Sequence, residues 1–201
     1  MMVNQNVGAP WLRVGGALWL DAVNTAIREN GAPVDLWPDF ASLLAWARAF
    51  EALDETIARD WANWDDERQA QVLSQACEVR ATLRQLCEEL EADAPSPATM
   101  RRLNEWIGAV ATRRELRWGD GGAHWHEAPL SNDESALWFV LASSAGEYLA
   151  APKRPPLRRC GASECVLWFL DLTKNRSRRW CSMETCGNRH KVARHYKRGK
   201  R

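Results

Sequence analysis

Four of the six cysteines form two pairs of the same spacing near the end of the chain. Four residues separate Cys160 from Cys165, four separate Cys181 from Cys186, and fifteen lie between the pairs. Zinc prefers four thiolates in a tetrahedral arrangement, and closely spaced pairs on tight turns supply two ligands each. The spacing therefore predicts one structural zinc ion (Zn2+) held by these four side chains.

Other interpretations of the cysteines remain open at this point. His190 follows Cys186 at the spacing C-x3-H and could replace one cysteine, and four thiols without a metal are a further alternative. Paired spacing is more typical of a metal site, so we favour the four-cysteine set. Cys77 and Cys87, ten residues apart on one predicted helix, are expected in the core, because free cysteine is among the most buried residue types.

Charge is distributed unevenly along the chain. Residues 151–201 contain 15 lysines and arginines against three acidic residues, a net charge of +12. Residues 1–150 contain 12 arginines against 23 acidic residues, a net charge of −11, and all five lysines lie in the basic part. This asymmetry is typical of an acidic body that carries a polyanion-binding module.

The residues after the last cysteine predict a short basic helix. We expect Gly187 to take a positive φ at the turn leaving the metal site and Asn188 to cap the helix. Lys191, Arg194 and Arg198 follow at helical spacing and form a row of cations that can neutralise phosphates. The predicted nucleic-acid-binding residues are Lys174, Arg176, Arg178, Arg179, Arg189, Lys191, Arg194, Lys197 and Arg198.

Two alternatives to DNA binding by this tail stay open. The tail could be a solvated basic terminus that only aids solubility. The partner could also be RNA, because Trp168, Trp180 and Tyr196 could stack on unpaired bases. For both tryptophans we favour a place in the core of the finger.

The elements that position these residues fall into two parts. Apolar residues at helical spacing predict helices within 16–31, 39–54, 55–64, 65–93, 96–114 and 131–152, and the glycine-rich turn at 119–122 predicts a hairpin over 115–130. Prolines at 152, 155 and 156 predict a boundary between domains 1–152 and 153–201. In the second domain we expect strands over 166–173 and 176–181.

The predicted fold class follows from these elements. It is α+β, with a mostly helical N-terminal domain that includes a small β-hairpin. A four-cysteine zinc finger, made of two short strands and a basic helix, follows it. In the body, we expect Asp21, Asn24 and Thr25 to make local capping and turn hydrogen bonds rather than ligand contacts. Arg80 and Arg84 are expected to form ion pairs on a helix surface.

The chain contains no pattern typical of an enzyme. His124 and His126 could bind a metal with Glu127, but no further ligand stands at a recognisable spacing, and an exposed hairpin pair is favoured. There is no nucleophile elbow, P-loop or glycine-rich dinucleotide turn. Four thiolates also close the zinc coordination sphere to water. We therefore expect no catalytic residues and no enzyme activity.

The first sixteen residues lack the features of a signal peptide, and no uncharged apolar run approaches about 18 residues. We therefore expect a cytoplasmic protein without a membrane partner. Disulfides are rare in that reducing compartment, which again favours metal ligation by the paired cysteines.

Two motifs carry a resemblance to a known family. CGNR at 186–189, preceded by DLTKNRSRRWCSM, resembles the signature of the CGNR zinc-finger family. In that family an N-terminal ABATE domain precedes the finger, and LWLDAVNT at 18–25 is similar to the LDxxNT opening of that domain. The four paired cysteines match the family's ligands. Asp171, Thr173, Asn175, Arg178 and Trp180 match the spacer between the cysteine pairs.

The resemblance implies a bacterial, stress-induced transcriptional regulator whose finger binds DNA. Together with the charge pattern, it predicts a zinc-dependent DNA-binding regulator whose body senses a signal or forms a homodimer. The alternatives are an RNA-binding protein and a zinc-organised protein-interaction adaptor. The adaptor could dock on the body of a second copy, because the two parts carry opposite charge.

Overall fold

The computed structural model describes residues 11–119 and 121–192 of the chain. The α-helices are α1 (Leu18–Val23), α2 (Phe40–Ala49), α3 (Glu55–Trp61), α4 (Asp66–Ala92), α5 (Pro97–Gly108) and α6 (Ser135–Ala150). Antiparallel pairs form between β1 (Ala26–Glu29) and β2 (Ala32–Asp35), β3 (Thr112–Gly119) and β4 (Gly122–Pro129), and β5 (Leu157–Arg159) and β6 (Trp168–Leu170). A π-helical turn, Met183–Gly187, continues as α-helix to residue 192. The α+β class with a mostly helical body is confirmed.

Side-chain caps fix the starts of four helices of the body, α2, α3, α4 and α5. Asp39 accepts a hydrogen bond from the Ser42 N–H at the start of α2, and Ser96 accepts one from the Thr99 N–H at the start of α5. Such caps satisfy N–H groups that have no partner within the helix. Asp65 caps α4 in the same way. The predictions for α2, α4 and α5 are therefore confirmed at their first turns.

The core lies around α4, the longest helix. Its buried face carries Val72, Ala76, Val79, Leu83 and Leu86, which repeat at helical spacing. The short helix α1 packs against both α4 and α6. Large aromatic side chains fill the space between the helices, and the fully buried tryptophans of the body are Trp19, Trp37, Trp46 and Trp61. Cys87 is also buried here, as expected, and burial raises the pKa of its thiol.

The helix predicted to run to Gly31 is wrong beyond α1. The chain instead forms the β1–β2 hairpin, in which Glu29 pairs with Ala32. Asn30 and Gly31, between the strands, both have positive φ, at 51° and 82°. Asn-Gly is the dipeptide that two-residue hairpin turns favour, because both residues tolerate this backbone conformation. The turn chemistry overrides the helical spacing before it.

The predicted hairpin after α5 is confirmed, and it begins at Thr112, inside the segment predicted to be helical. Its register runs from Thr112 opposite Pro129 to Gly119 opposite Gly122. One face of this hairpin carries apolar side chains that are largely exposed, with Trp118 at 85%. The other face places His124 opposite Arg117 and His126 opposite Glu115. These histidines belong to no metal-ligand group among the described residues.

The strand pair after α6 differs from the prediction. The predicted strand over 166–173 contains β6, but its partner is β5, which lies before the first cysteine. The segment 176–181 is not a strand in the structure. No helix in the described parts of the chain has the length and apolar character needed to span a bilayer.

Candidate metal centre and nucleic-acid interface

The four paired cysteines come together at one point of the finger. Their Sγ atoms all lie within 4.8 Å of one another, and those of Cys160, Cys181 and Cys186 belong to buried residues. Sγ of Cys181 is 3.8 Å from Sγ of Cys165 and 3.6 Å from Sγ of Cys186. Tetrahedral zinc with Zn–S bonds of about 2.3 Å requires sulfurs about 3.8 Å apart. The donor set and its spacing therefore fit one structural zinc ion.

Backbone hydrogen bonds hold this arrangement. The Cys160 N–H donates to the Leu167 carbonyl (2.9 Å), which closes the loop that carries Cys165. The Gly161 N–H donates to the Arg179 carbonyl (2.9 Å), which brings the second cysteine pair beside the first. The Cys181 N–H points at Sγ of Cys160 (3.4 Å). The β5–β6 pair therefore supplies the frame for the ligands.

The thiols influence one another's ionisation. A hydrogen bond with Cys165 lowers the pKa of Cys160, and the same interaction raises the pKa of Cys165 to about 12. Hydrogen bonds to Cys160 and Cys165 raise the pKa of Cys181. Thiols this close resist full ionisation by themselves, and a divalent cation stabilises the thiolates it binds. His190 lies outside the cluster, with its ring 4.6 Å from that of Trp180, so the mixed ligand set is not formed.

The turn after the metal site corrects two predictions. The cap is Ser182, whose hydroxyl accepts hydrogen bonds from the Glu184 and Thr185 N–H groups. Asn188 lies within the helix and donates from its side chain to the Glu184 carbonyl (3.2 Å). Gly187 does not have a positive φ. It is small for a different reason, because an added Cβ would lie 2.8 Å from Sδ of Met183.

The spacer motif builds the loop between β6 and the second cysteine pair. The buried carboxylate of Asp171 accepts hydrogen bonds from the Thr173 N–H (3.1 Å) and hydroxyl (2.6 Å) and from the Arg178 N–H (3.0 Å). Burial opposes ionisation of Asp171, but these donors outweigh it and hold the pKa of the carboxyl below its ordinary value. The Arg178 guanidinium donates to the carbonyls of Trp180 and Cys181. Through these hydrogen bonds, Asp171 and Arg178 hold the backbone of the loop that leads to Cys181.

The finger is docked onto the body through Asn24. The amide of this buried residue donates to the Trp168 carbonyl (2.8 Å) and accepts from the Trp168 N–H (2.9 Å). One side chain thus satisfies both backbone groups of a residue in β6. Next to it, the Leu170 N–H donates to the Gly15 carbonyl (2.8 Å). The side chains of Trp168 and Leu170 belong to the core cluster of the body.

The rest of the LDxxNT motif makes hydrogen bonds at the same junction. Asp21 accepts from the Gly15 N–H (2.8 Å), and Thr25 donates to the Ala22 carbonyl (2.7 Å). Burial raises the pKa of Asp21 to about 6. These contacts are the turn interactions that the residue types favour, whereas the role of Asn24 as a clamp on the finger was missed. Its partner lies too far along the chain to leave a local signal.

Arg80 and Arg84 are not surface ion pairs. Arg80 is buried, donates to Thr25 (2.9 Å) and binds both carboxylate oxygens of Asp35. Arg84 donates to the Val23 carbonyl (2.7 Å) and to the Ala26 carbonyl (3.0 Å). Both side chains leave α4 to secure the segment that follows α1. The spacing of the two arginines on the helix could not reveal these partners, which are distant side chains for Arg80 and backbone carbonyls for Arg84.

The predicted nucleic-acid-binding residues divide into three groups. Lys174, Arg179, Arg189 and Lys191 are exposed on the finger. Arg176 and Arg178 donate to backbone carbonyls, with Arg178 also stacked over the Phe169 ring at 4.2 Å. Arg194, Lys197 and Arg198 lie outside the described residues.

Comparison with known families agrees with these motifs. Residues 16–152 match the ABATE family, described as "Putative stress-induced transcription regulator". Residues 157–199 match the CGNR zinc finger. No curated protein matches the chain. Since the first match covers more than half of the sequence, the chain belongs to the ABATE family and ends in a CGNR zinc finger.

Proposed function

We propose that this protein is a zinc-dependent DNA-binding transcription regulator in which the finger contacts DNA. The observation that carries the proposal is the exposed set of cations on the finger, Lys174, Arg179, Arg189 and Lys191. None of them forms an ion pair with a carboxylate in the described part of the chain. Cations whose charge is not paired with a carboxylate are available to phosphate oxygens.

The position of Arg189 and Lys191 supports this function. Both follow Cys186 within five residues, on the helix that leaves the metal site. Because Cys186 is a zinc ligand and Ser182 caps the preceding turn, the metal fixes where this helix begins. Loss of zinc is therefore expected to unfold the finger locally. It should also displace the helix that carries Arg189 and Lys191 from the position in which it contacts DNA.

The family description supports the regulatory part of the proposal. The body carries a net charge of −11, so it repels DNA and leaves the +12 segment to make the contact. We assign the body the role of sensing or dimerisation, and the finger that of DNA recognition.

The test is fluorescence-anisotropy titration of a labelled mixed-sequence duplex with protein of measured zinc content, repeated over a range of salt concentrations. The variant Arg189→Gln/Lys191→Gln removes two exposed cations of the finger. Arg101→Gln/Arg114→Gln removes the same charge from exposed positions of the body. We expect the finger variant to bind at least about tenfold more weakly and with a shallower salt dependence, because two phosphate contacts are lost. The body variant should bind like the wild type.

A separate variant tests whether duplex binding depends on zinc. Cys181→Ser/Cys186→Ser should lose both zinc and duplex binding. A zinc-loaded wild-type protein that binds no duplex at low salt would contradict the proposal. Binding of single-stranded RNA in that case would point to an RNA-binding protein, and salt-sensitive self-association to the adaptor.

A further inference from the structure

A cleft lies where β5 of the finger meets α4 of the body. It encloses about 290 Å³, and arginines form most of its polar lining. Arg158 and Arg159 come from β5, and Arg178 and Arg179 from the segment before the second cysteine pair. The two arginines of β5 are not among the predicted nucleic-acid-binding residues. Four arginine residues in the lining of one cleft point to an anionic ligand.

Two of these arginines are fixed by the protein. Arg158 donates to the Asp171 carboxylate (3.3 Å) and to the Arg176 carbonyl (2.9 Å). Arg178 donates to the carbonyls of Trp180 and Val14. Because their guanidinium groups are held in place, they contribute positive potential to the cleft without having to be ordered by a ligand. They form its walls.

The other two arginines are available. Arg159 and Arg179 are exposed, and neither forms an ion pair with a carboxylate among the residues that the structure describes. Gly161 lies between them, where an added Cβ would be 3.2 Å from the Arg179 carbonyl oxygen. The small residue keeps the two segments close together. Arg159 and Arg179 both line the cleft and are the arginines in it whose charge is not paired with a carboxylate or bound to backbone carbonyls among the described residues.

One carboxylate limits the charge of the cleft. Glu91, near the end of α4, contributes to the lining from the side of the body. It opposes four positive charges, of which the buried Asp171 neutralises only one. The balance remains positive and suits a singly charged phosphodiester. Since α4 forms part of the wall, a ligand here touches the body as well as the finger.

We infer that this cleft binds a backbone phosphate of the nucleic acid that the finger engages, with Arg159 and Arg179 as the contacting residues. The inference rests on the proposed function and extends it, because it places one phosphate at the junction with the body, on residues other than Arg189 and Lys191. In the sequence, Arg179 precedes the second cysteine pair and Arg189 follows it, so cations flank these ligands on both sides. On the side of the body, Glu91 of α4 then lies beside the bound phosphate and opposes its binding.

The test compares duplex binding by Arg159→Gln, Glu91→Gln and the control Arg101→Gln, all with measured zinc content and thermal stability. Arg159→Gln should weaken binding about fivefold and lower the magnitude of the salt slope by about one, as expected for one lost phosphate contact. Glu91→Gln should strengthen binding, since it removes a negative charge from the lining. A purely structural role of the cleft would not give this opposite pair of effects.

The outcomes separate the two proposals. If the wild type binds duplex and both cleft variants bind like Arg101→Gln, the cleft inference is overturned while the proposed function stands. If the wild type binds no duplex, both fall. Opposite effects of Arg159→Gln and Glu91→Gln, at unchanged zinc content, support the cleft as a phosphate site.

Discussion

The helical body and the zinc finger are stabilised by different interactions. The body buries whole faces of its helices and several tryptophans in one continuous cluster. The separate cluster of the finger has five buried members, Cys160, Leu167, Phe169, Cys181 and Cys186, three of which are metal ligands. A core of this size cannot offset the entropy of folding by itself. The finger therefore depends on zinc and on its attachment to the body, whereas the body depends mainly on apolar burial.

Removal of a ligand should show this difference most strongly. In Cys181→Ser we expect zinc content to fall from one ion per chain to none, since structural zinc sites contribute about 10 to 16 kcal/mol in small fingers. The helices of the body should persist, which circular dichroism and the dispersion of amide signals can measure. The matched control is Cys77→Ser, because Cys77 lies on α4 outside the ligand cluster. Loss of zinc from the control, or retention by Cys181→Ser, would contradict the assignment.

The apolar attachment of the finger predicts the next largest effect. Trp168→Ala should lower the free energy of unfolding by about 3 to 5 kcal/mol, the usual cost of truncating a buried aromatic side chain. Although Trp168 belongs to the finger, its ring lies in the core of the body, so the unfolding of the body should shift in urea titrations. Trp118→Ala, at an 85% exposed position, should change stability by less than about 0.5 kcal/mol. If the two variants had equal effects, the ring of Trp168 would not contribute to the stability of the body core.

The polar attachment gives a smaller effect. Asn24→Ala leaves the N–H and carbonyl of Trp168 buried without their partner, which should cost about 2 to 4 kcal/mol. Zinc should also be lost faster to a chelator, because the docked position of β6 supports the frame of the metal site. Asn63→Ala is the control, since Asn63 is exposed and bonds only within its own turn. An unchanged chelation rate in Asn24→Ala would show that docking and metal retention are independent.

The smallest effect is expected inside the CGNR sequence. Gly187→Ala brings a Cβ to 2.8 Å from Sδ of Met183, and the required shift should cost about 1 to 2 kcal/mol. The clash is with a flexible side chain, so Gly187→Ala/Met183→Ala should recover most of the loss in zinc affinity measured by chelator competition. Gly108→Ala is the control, because nothing lies within 4 Å of its added Cβ. If the double variant does not recover zinc affinity, a residue other than Met183 limits the space at Gly187, for instance Trp180.

Local signals in the sequence account for what could be predicted. The spacing of the cysteine pairs identifies the four side chains that meet, because a metal site of this kind is built from two tight turns. Caps such as Asp39 and Ser96 identify helix starts, because their partners lie three residues away. The Asn-Gly pair at 30–31 was also a local signal, but the apolar spacing before it favoured a helix. A rule that gives turn dipeptides precedence over periodicity would have found this hairpin.

Long-range partners account for what could not be predicted. Asn24 and Trp168 are 144 residues apart, and no sequence pattern near either residue predicts their contact. The inward roles of Arg80 and Arg178 were missed because their partners include a distant carboxylate and backbone carbonyls, which a count of nearby charges does not include. The predicted strand partner of β6 was wrong for the same reason. The strand that pairs with β6 is β5, just before Cys160, and not the segment 176–181. The domain boundary and the nucleic-acid contacts stay predictions.

The clamp between Asn24 and Trp168 limits how this architecture can evolve. The finger places the side chains of Trp168 and Leu170 in the core of the body, and the body supplies the Asn24 amide to the finger. Such a finger cannot be exchanged like an independent unit. Recombination that replaces residues 157–192 with a segment carrying smaller side chains at 168 and 170 would leave a hole under α1. The Asn24 amide bonds to backbone groups, so it keeps its partners only if the new strand docks in the same position. Chimeras between relatives should therefore fold when the side chains at 168 and 170 fill the core of the body, and fail when they do not.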